Sequence, residues 1–284
     1  MPAPKNKKTE ILFVYGQHSS LERWWGLLQY ANRLGAVTAP DIPGFGGMES
    51  FHKIGKQPTI DNFADYLAAF VKMRYKRKKV VIMGMSLGFV IATRMLQRYP
   101  ELSKNVVMLV SLVGMTHADD FRFPRARYWF YRSIGAVFSH WLPALVFRYV
   151  FLNGSVLRKT YHHTYQARSK FAAAKTPEEH EYFMNVEIGL WHMNDVRTHA
   201  KTLSELLVLD NCNKRLDIPV WHVNVDGDQY LDHHRVEQHL KVAFSDVHMV
   251  RSKLAHHAPS IIADEASAAP LIPPGLRQAL RRLG

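Results

Sequence analysis

Short apolar runs and longer stretches with one apolar side alternate along the first part of the chain. Residues 11–15, Ile-Leu-Phe-Val-Tyr, are continuously apolar, stop at Gly16 and predict a buried strand. Residues 21–34 predict a helix, with Ser19 or Ser20 placed to cap it. Residues 36–39 predict a short strand running into Pro40-Asp41-Ile42-Pro43-Gly44-Phe45-Gly46-Gly47, whose prolines and glycines require a loop. An amphipathic helix is predicted over 59–75, started by Thr59 or Asp61. Residues 80–83 have the length and branching of a buried strand, and Val90, Ile91 and Met95 then mark one face of a helix. A further strand is predicted over 106–110.

This rhythm breaks after about residue 117, and until about 205 the chain reads as helical, aromatic and irregular. It resumes with a strand at 218–225, a helix at 233–242, a strand at 247–250 and terminal helices. Strands alternating with helices predict an α/β fold, a mostly parallel sheet covered on both faces. The interruption predicts one core with an insertion: residues 1–117 and 206–284 as the core, and 118–205 as a helical cap.

Composition adds limits. With 284 residues and 47% hydrophobic residues, one large domain with an insertion can bury a full core. The net charge of +13 suits a nucleic acid, a membrane surface or an anionic substrate. No zinc-finger, RRM or helix-turn-helix pattern accompanies it, so specific nucleic-acid binding is not expected. Cys212 is the sole cysteine, which excludes an intramolecular disulfide and a thiolate metal cluster. The N-terminal residues lack the apolar stretch of a signal peptide, so a cytoplasmic location is expected. The apolar stretch 134–152 contains His140, Pro143 and Arg148 and is a poor transmembrane candidate. Nothing in the pattern fixes an oligomeric state.

From 121 to 177 there is no Asp or Glu, while ten lysines and arginines, among them Arg122, Arg125 and Arg127, are interleaved with aromatics. Such a segment has two readings. It is a cap whose aromatics pack on the core and whose arginines are solvated, or it makes peripheral contact with an anionic membrane or substrate.

The strand at 80–83 runs into Gly84-Met85-Ser86-Leu87-Gly88 and then into a helix. Strand, G-x-S-x-G, helix is the context of a nucleophile elbow, with the Ser86 hydroxyl exposed at the carboxyl edge of the sheet. The first turn of the following helix offers unpaired N–H groups and a positive dipole end, where negative charge develops in acyl transfer. The plainer reading is a serine in a glycine-flanked turn.

Four segments together give the chain a resemblance to the capped serine hydrolases of the α/β-hydrolase superfamily. Val14-Tyr15-Gly16-Gln17 resembles the family's oxyanion loop, and Ala39-Pro40-Asp41-Ile42-Pro43-Gly44-Phe45-Gly46 resembles the loop after its next strand. The elbow at Ser86 is the third, and the two late strands, each followed by a loop carrying Asp or His, are the fourth. The resemblance implies a triad in the order Ser, acid, His. It favours Asp228 as the acid, with Asp226 as the alternative, because the glycine expected before it falls on Val225. It favours His257, which is followed by Ala258-Pro259, over His256 as the base. It also implies that the backbone N–H groups of Gln17 and Leu87 form the oxyanion hole and that no cofactor or metal takes part. His192 and His199 fall seven apart on one expected helix, without the further ligands a metal would need.

A serine at the nucleophile position implies hydrolysis of an ester, thioester, lactone, amide or activated C–C bond, not the epoxide or halide chemistry of relatives that use aspartate there. The expected function is therefore a serine hydrolase cleaving a carboxylic ester or related acyl compound, lipid-like or anionic, through an acyl-enzyme on Ser86. The alternative is a non-catalytic protein of the same fold that binds a ligand or partner. An RNA-associated role rests on net charge alone.

Overall fold

Six strands form one parallel sheet in the order β2-β1-β3-β4-β5-β6 in a computed structural model that describes residues 1–163, 171, 174, 176–254, 257 and 261–283. They are β1 (Glu10–Val14), β2 (Ala36–Thr38), β3 (Val80–Met85), β4 (Val106–Leu112), β5 (Leu216–Val225) and β6 (Phe244–Ser252). Every residue of β3 is buried, which is why it reads as a continuous apolar run and not as an alternation. Around the sheet lie α1 (Trp25–Asn32), α2 (Ile60–Arg74) and α3 (Leu87–Arg98), with α9 (His233–Ala243), α10 (Glu265–Ala268) and α11 (Pro274–Arg281) following later in the chain.

The strand order positions the site. From β1 the chain steps outward to β2 and then returns to place β3 on the other side of β1. The loops leaving β1 and β3 therefore diverge at the carboxyl edge, where Val14 pairs with Gly84. In parallel α/β sheets a crevice opens at such a reversal point. Met85 pairs with Leu112 and Val225 with Ser252, so the loops after β3, β4, β5 and β6 emerge along the same edge.

The described residues between β4 and β5 form α4 (Arg125–Phe138), α5 (Trp141–Val146) continuing into a π-helical turn (Phe147–Phe151), α6 (Gly154–His163), α7 (Pro177–Met193) and α8 (Val196–Leu206), with short connecting segments. These helices hold a small apolar cluster of their own, including Ala144, Leu152, Met184, Ile188 and Val196, separate from the main core. Gly135 of α4 is buried against Ala200 and Ser204 of α8, and the Tyr128 hydroxyl donates to the Leu207 carbonyl at 3.0 Å. Among the described residues no single helix is long and apolar enough to cross a membrane. The pair Arg125–Phe138 and Trp141–Phe151 passes by length and composition together but is bent by 97°.

Two local expectations are corrected. The helix expected over 21–34 begins with a 3-10 turn, Glu22–Trp24, and has no side-chain cap; Ser19 Oγ instead accepts from the Trp24 indole at 2.6 Å. His192 and His199 do not share a helix. Asn194 and Asp195 break it, and the Asp195 carboxylate caps α8 by accepting from Thr198 N–H at 2.7 Å. The cap bond satisfies a helix-start N–H that a continuous helix would have used internally.

Candidate active site

Ser86 stands between β3 and α3 with φ 47° and ψ −112°, a conformation rarely adopted by a side chain-bearing residue. Its N–H donates to the Leu112 carbonyl at 2.9 Å, and its own carbonyl accepts from Phe89 at 3.0 Å. The flanking glycines are demanded by packing. A Cβ on Gly84 would lie 2.5 Å from Phe89 Cα, and one on Gly88 would lie 2.0 Å from the Val14 carbonyl oxygen. Strand, turn and helix approach too closely for any side chain at these two places.

His257, after β6, places Nε2 3.3 Å from Ser86 Oγ and Nδ1 2.7 Å from Asp228 Oδ2. An ionised carboxylate only accepts, so the Nδ1 proton points at Asp228 and the Nε2 lone pair faces Ser86. Asp228, after β5, is 2% exposed. Its other oxygen accepts from the N–H groups of Tyr230 at 2.8 Å and Leu231 at 3.1 Å. Burial by itself raises the Asp228 carboxyl, but the His257 bond and charge and these two N–H groups outweigh it, and the carboxyl lies below its ordinary range. The Tyr230 ring meets the His257 imidazole edge to face at 5.3 Å.

The structure thus brings Ser86, Asp228 and His257 into one hydrogen-bonded line. Asp226 is left outside it, exposed and 3.9 Å from Arg251. His256 lies outside the described residues. Gly16 and Gln17 border the same cavity as Ser86, and the Gln17 side chain is tied to the His199 carbonyl at 2.8 Å. Leu87 heads α3, so its N–H has no helical acceptor.

The cavity over Ser86 measures about 320 Å³. Its walls are largely apolar: Trp24 and Met115 from the core, Phe121, Phe123 and Tyr131 from the start of the insertion, and Leu203 from α8. Several polar residues at this cavity carry no local sequence signal. His18 (φ 54°) lies against Trp191 with ring centroids 4.1 Å apart. Arg23 donates to the His18 carbonyl at 3.0 Å and lies 4.0 Å from the fully buried Glu187. Arg122, seen in the sequence only as one of a basic group, donates to the Asp228 carbonyl at 3.3 Å.

A family model described as the alpha/beta hydrolase fold matches residues 10–201. The chain belongs to this family. Among curated relatives it is 33% identical over 100 residues to protein ABHD8 of Bos taurus, covering 35% of this chain. The match spans 23% of that relative's length. Among solved structures it is similar to a thermophilic esterase from Thermogutta terrifontis, with 15% identity, TM-score 0.64 and coverage of 98% of this chain and 89% of the other. It is likewise similar to an N-formylmaleamic acid deformylase from Pseudomonas putida S16, with 14% identity, TM-score 0.63 and coverage of 90% and 87%. At these identities the likeness is one of fold.

Proposed function

We propose that this α/β-hydrolase is a serine hydrolase that cleaves carboxylic esters or related acyl compounds through an acyl-enzyme on Ser86. The observation that carries the reading is the line Ser86–His257–Asp228, at 3.3 and 2.7 Å, on a strained strand-to-helix turn beside an apolar cavity.

The steps follow from the protonation states. A neutral hydroxyl is a weak nucleophile. As Ser86 Oγ bonds to the acyl carbon, its proton passes to His257 Nε2 and the carbonyl electron pair moves onto oxygen. Asp228 stabilises the imidazolium and holds its orientation without taking the proton. The N–H groups of Gln17 and Leu87 are the donors assigned to the oxyanion, each worth about 3 kcal/mol of barrier. When the intermediate collapses, His257 returns the proton to the departing alcohol. A water then gives one proton to His257 while its oxygen attacks the acyl carbon. Ser86 leaves with that proton, and the free acid is released.

A cavity of about 320 Å³ is at the small end for ligand sites, which favours a compact acyl group. The fold shared with an esterase and a deformylase is consistent with acyl chemistry. The test is labelling with a fluorophosphonate probe, followed by hydrolysis of p-nitrophenyl esters of graded chain length. Wild type should label and Ser86→Ala should not, with turnover highest on short chains. Absence of labelling in folded wild-type protein would establish the non-catalytic alternative instead.

A further inference from the structure

Helix α4 is apolar on two opposite sides, and the fold covers only one. Tyr128, Tyr131, Gly135 and Phe138 recur at helical spacing and face inward. Tyr128 bonds the end of α8, Tyr131 lines the cavity, Gly135 is buried against α8, and the Phe138 ring lies 4.6 Å from that of Phe147. The opposite side carries Trp129, Phe130 and Val137, which are 61%, 59% and 50% exposed. Past the bend, Trp141, Leu142 and Tyr149 are 61%, 60% and 71% exposed. Large apolar side chains left exposed in such number along two consecutive helices point to an interaction surface.

The charges carried by this segment itself are all positive, although the exposed Asp119 borders the same groove as Arg125 and Trp129, as does Arg235. Arg125 and Arg132 stand four residues before and three after Trp129, one helical turn to either side, and the Arg132 guanidinium lies over the Trp129 ring at 5.7 Å. Arg125, Arg127 and Arg132 are all exposed. No acid occurs anywhere from 121 to 177.

We propose that the outward side of α4 and of the following 141–151 segment docks on an anionic membrane surface. Trp129, Phe130, Trp141 and Leu142 enter the boundary between headgroups and acyl chains, and Arg125, Arg127 and Arg132 meet lipid phosphates. Paired indoles, aliphatic side chains and arginines are the composition of a helix that lies in the interface plane. The 97° bend excludes a straight span across the bilayer. An RNA partner is disfavoured because Leu142 and Val137 offer neither a stacking face nor a hydrogen bond. The inward side of the same helix lines the cavity through Tyr131, so the docked face and the candidate active site share one element.

The test is flotation of the whole chain with phosphatidylcholine vesicles, with and without phosphatidylserine. Tryptophan emission on vesicle addition is recorded alongside. Wild type should float with the phosphatidylserine vesicles, shift its emission to the blue, and lose both effects as salt is raised. The variant Arg125→Gln/Arg127→Gln/Arg132→Gln should bind about tenfold or more weakly. The variant Trp129→Ser/Trp141→Ser should not float. Melting temperature and fluorophosphonate labelling show whether each variant is folded, and the arginine variant tests the idea even if the tryptophan variant is not. Vesicle binding is read without hydrolysis, so its failure is distinct from failure of the proposed activity. Wild type that does not float, or variants that float as wild type does, would overturn the proposal. So would a dimer seen by light scattering that the Trp129→Ser/Trp141→Ser change dissolves, since a second copy would then cover this face.

Discussion

Arg122 donates a hydrogen bond from Nη1 to the main-chain oxygen of Asp228, 3.3 Å away, while its own N–H donates to the Tyr230 carbonyl at 2.8 Å. Beside it, Phe121 pairs with Leu231, and Asp232 N–H bonds the Asp120 carbonyl at 2.8 Å. The first residues of the helical insertion are thus laced to the loop that carries the candidate acid. This arginine belongs to the architecture of the site and not only to a charged surface.

Arg122→Gln removes a partly exposed charged hydrogen bond worth ~1 kcal/mol. The Asp228 loop should then hold His257 less well. Turnover of a small neutral ester should fall about fivefold with KM little changed. A variant that instead raises KM for anionic esters alone would place Arg122 in substrate binding.

Ser86→Ala should lower kcat by about 10⁴-fold or more, because triad members act as a unit. Its melting temperature should stay close to wild type, since the methyl needs no new space. Ser86→Gly should be equally inactive but more stable than Ser86→Ala. Glycine relieves a positive φ costing about 1–3 kcal/mol in other residues, less its own entropy of up to ~1 kcal/mol. Thermal melts of the two variants decide this.

Asp228→Asn should cost about 10⁴-fold in kcat, as loss of the acceptor for His257 Nδ1 permits the wrong tautomer. Asp226→Asn should leave kcat unchanged, because that side chain is exposed and its charge neighbour is 3.9 Å away. Equal sensitivity of the two positions in steady-state assays would refute this assignment.

His222 provides a pH test. It is buried between β4 and β6, with Nδ1 2.8 Å from Ser111 Oγ, and burial, with His233 next, pushes its pKa from 6.5 down to about 3. Between those values the unfolded chain binds a proton that the folded chain does not. Stability is therefore full above about pH 6.5 and falls as pH drops toward 3, by up to ~1.4 kcal/mol per unit. His222→Gln should flatten the melting temperature against pH across this window. An unchanged slope would mean that other groups set the acid limit.

Much of the fold was legible because its causes are local. Short continuous apolar runs at 11–15 and 80–83, ended by glycines, suit strands buried on both faces, and Thr59 starts α2 by accepting from Asn62 N–H at 3.2 Å. Gly84 and Gly88 are written into the motif by contacts within their own strand, turn and helix and with the neighbouring β1. Ser86 could therefore be singled out from the chain alone.

Other features depend on segments far apart in the chain. Asp226 and Asp228 are the same residue type two positions apart. Only the turn that buries Asp228 under the Tyr230 and Leu231 N–H groups, facing His257, separates them. The contact between Arg23 and Glu187 spans the β1 loop and α7, and the break at Asn194-Asp195 coincides with the Asp195 N–H bonding to the Gly44 carbonyl at 2.8 Å. The sequence alone could establish that residues 121–177 are basic and aromatic. Which of those aromatics face inward was decided by the packing of α4 on α8, because a helix apolar on two sides has no preferred inner face until a neighbour covers one.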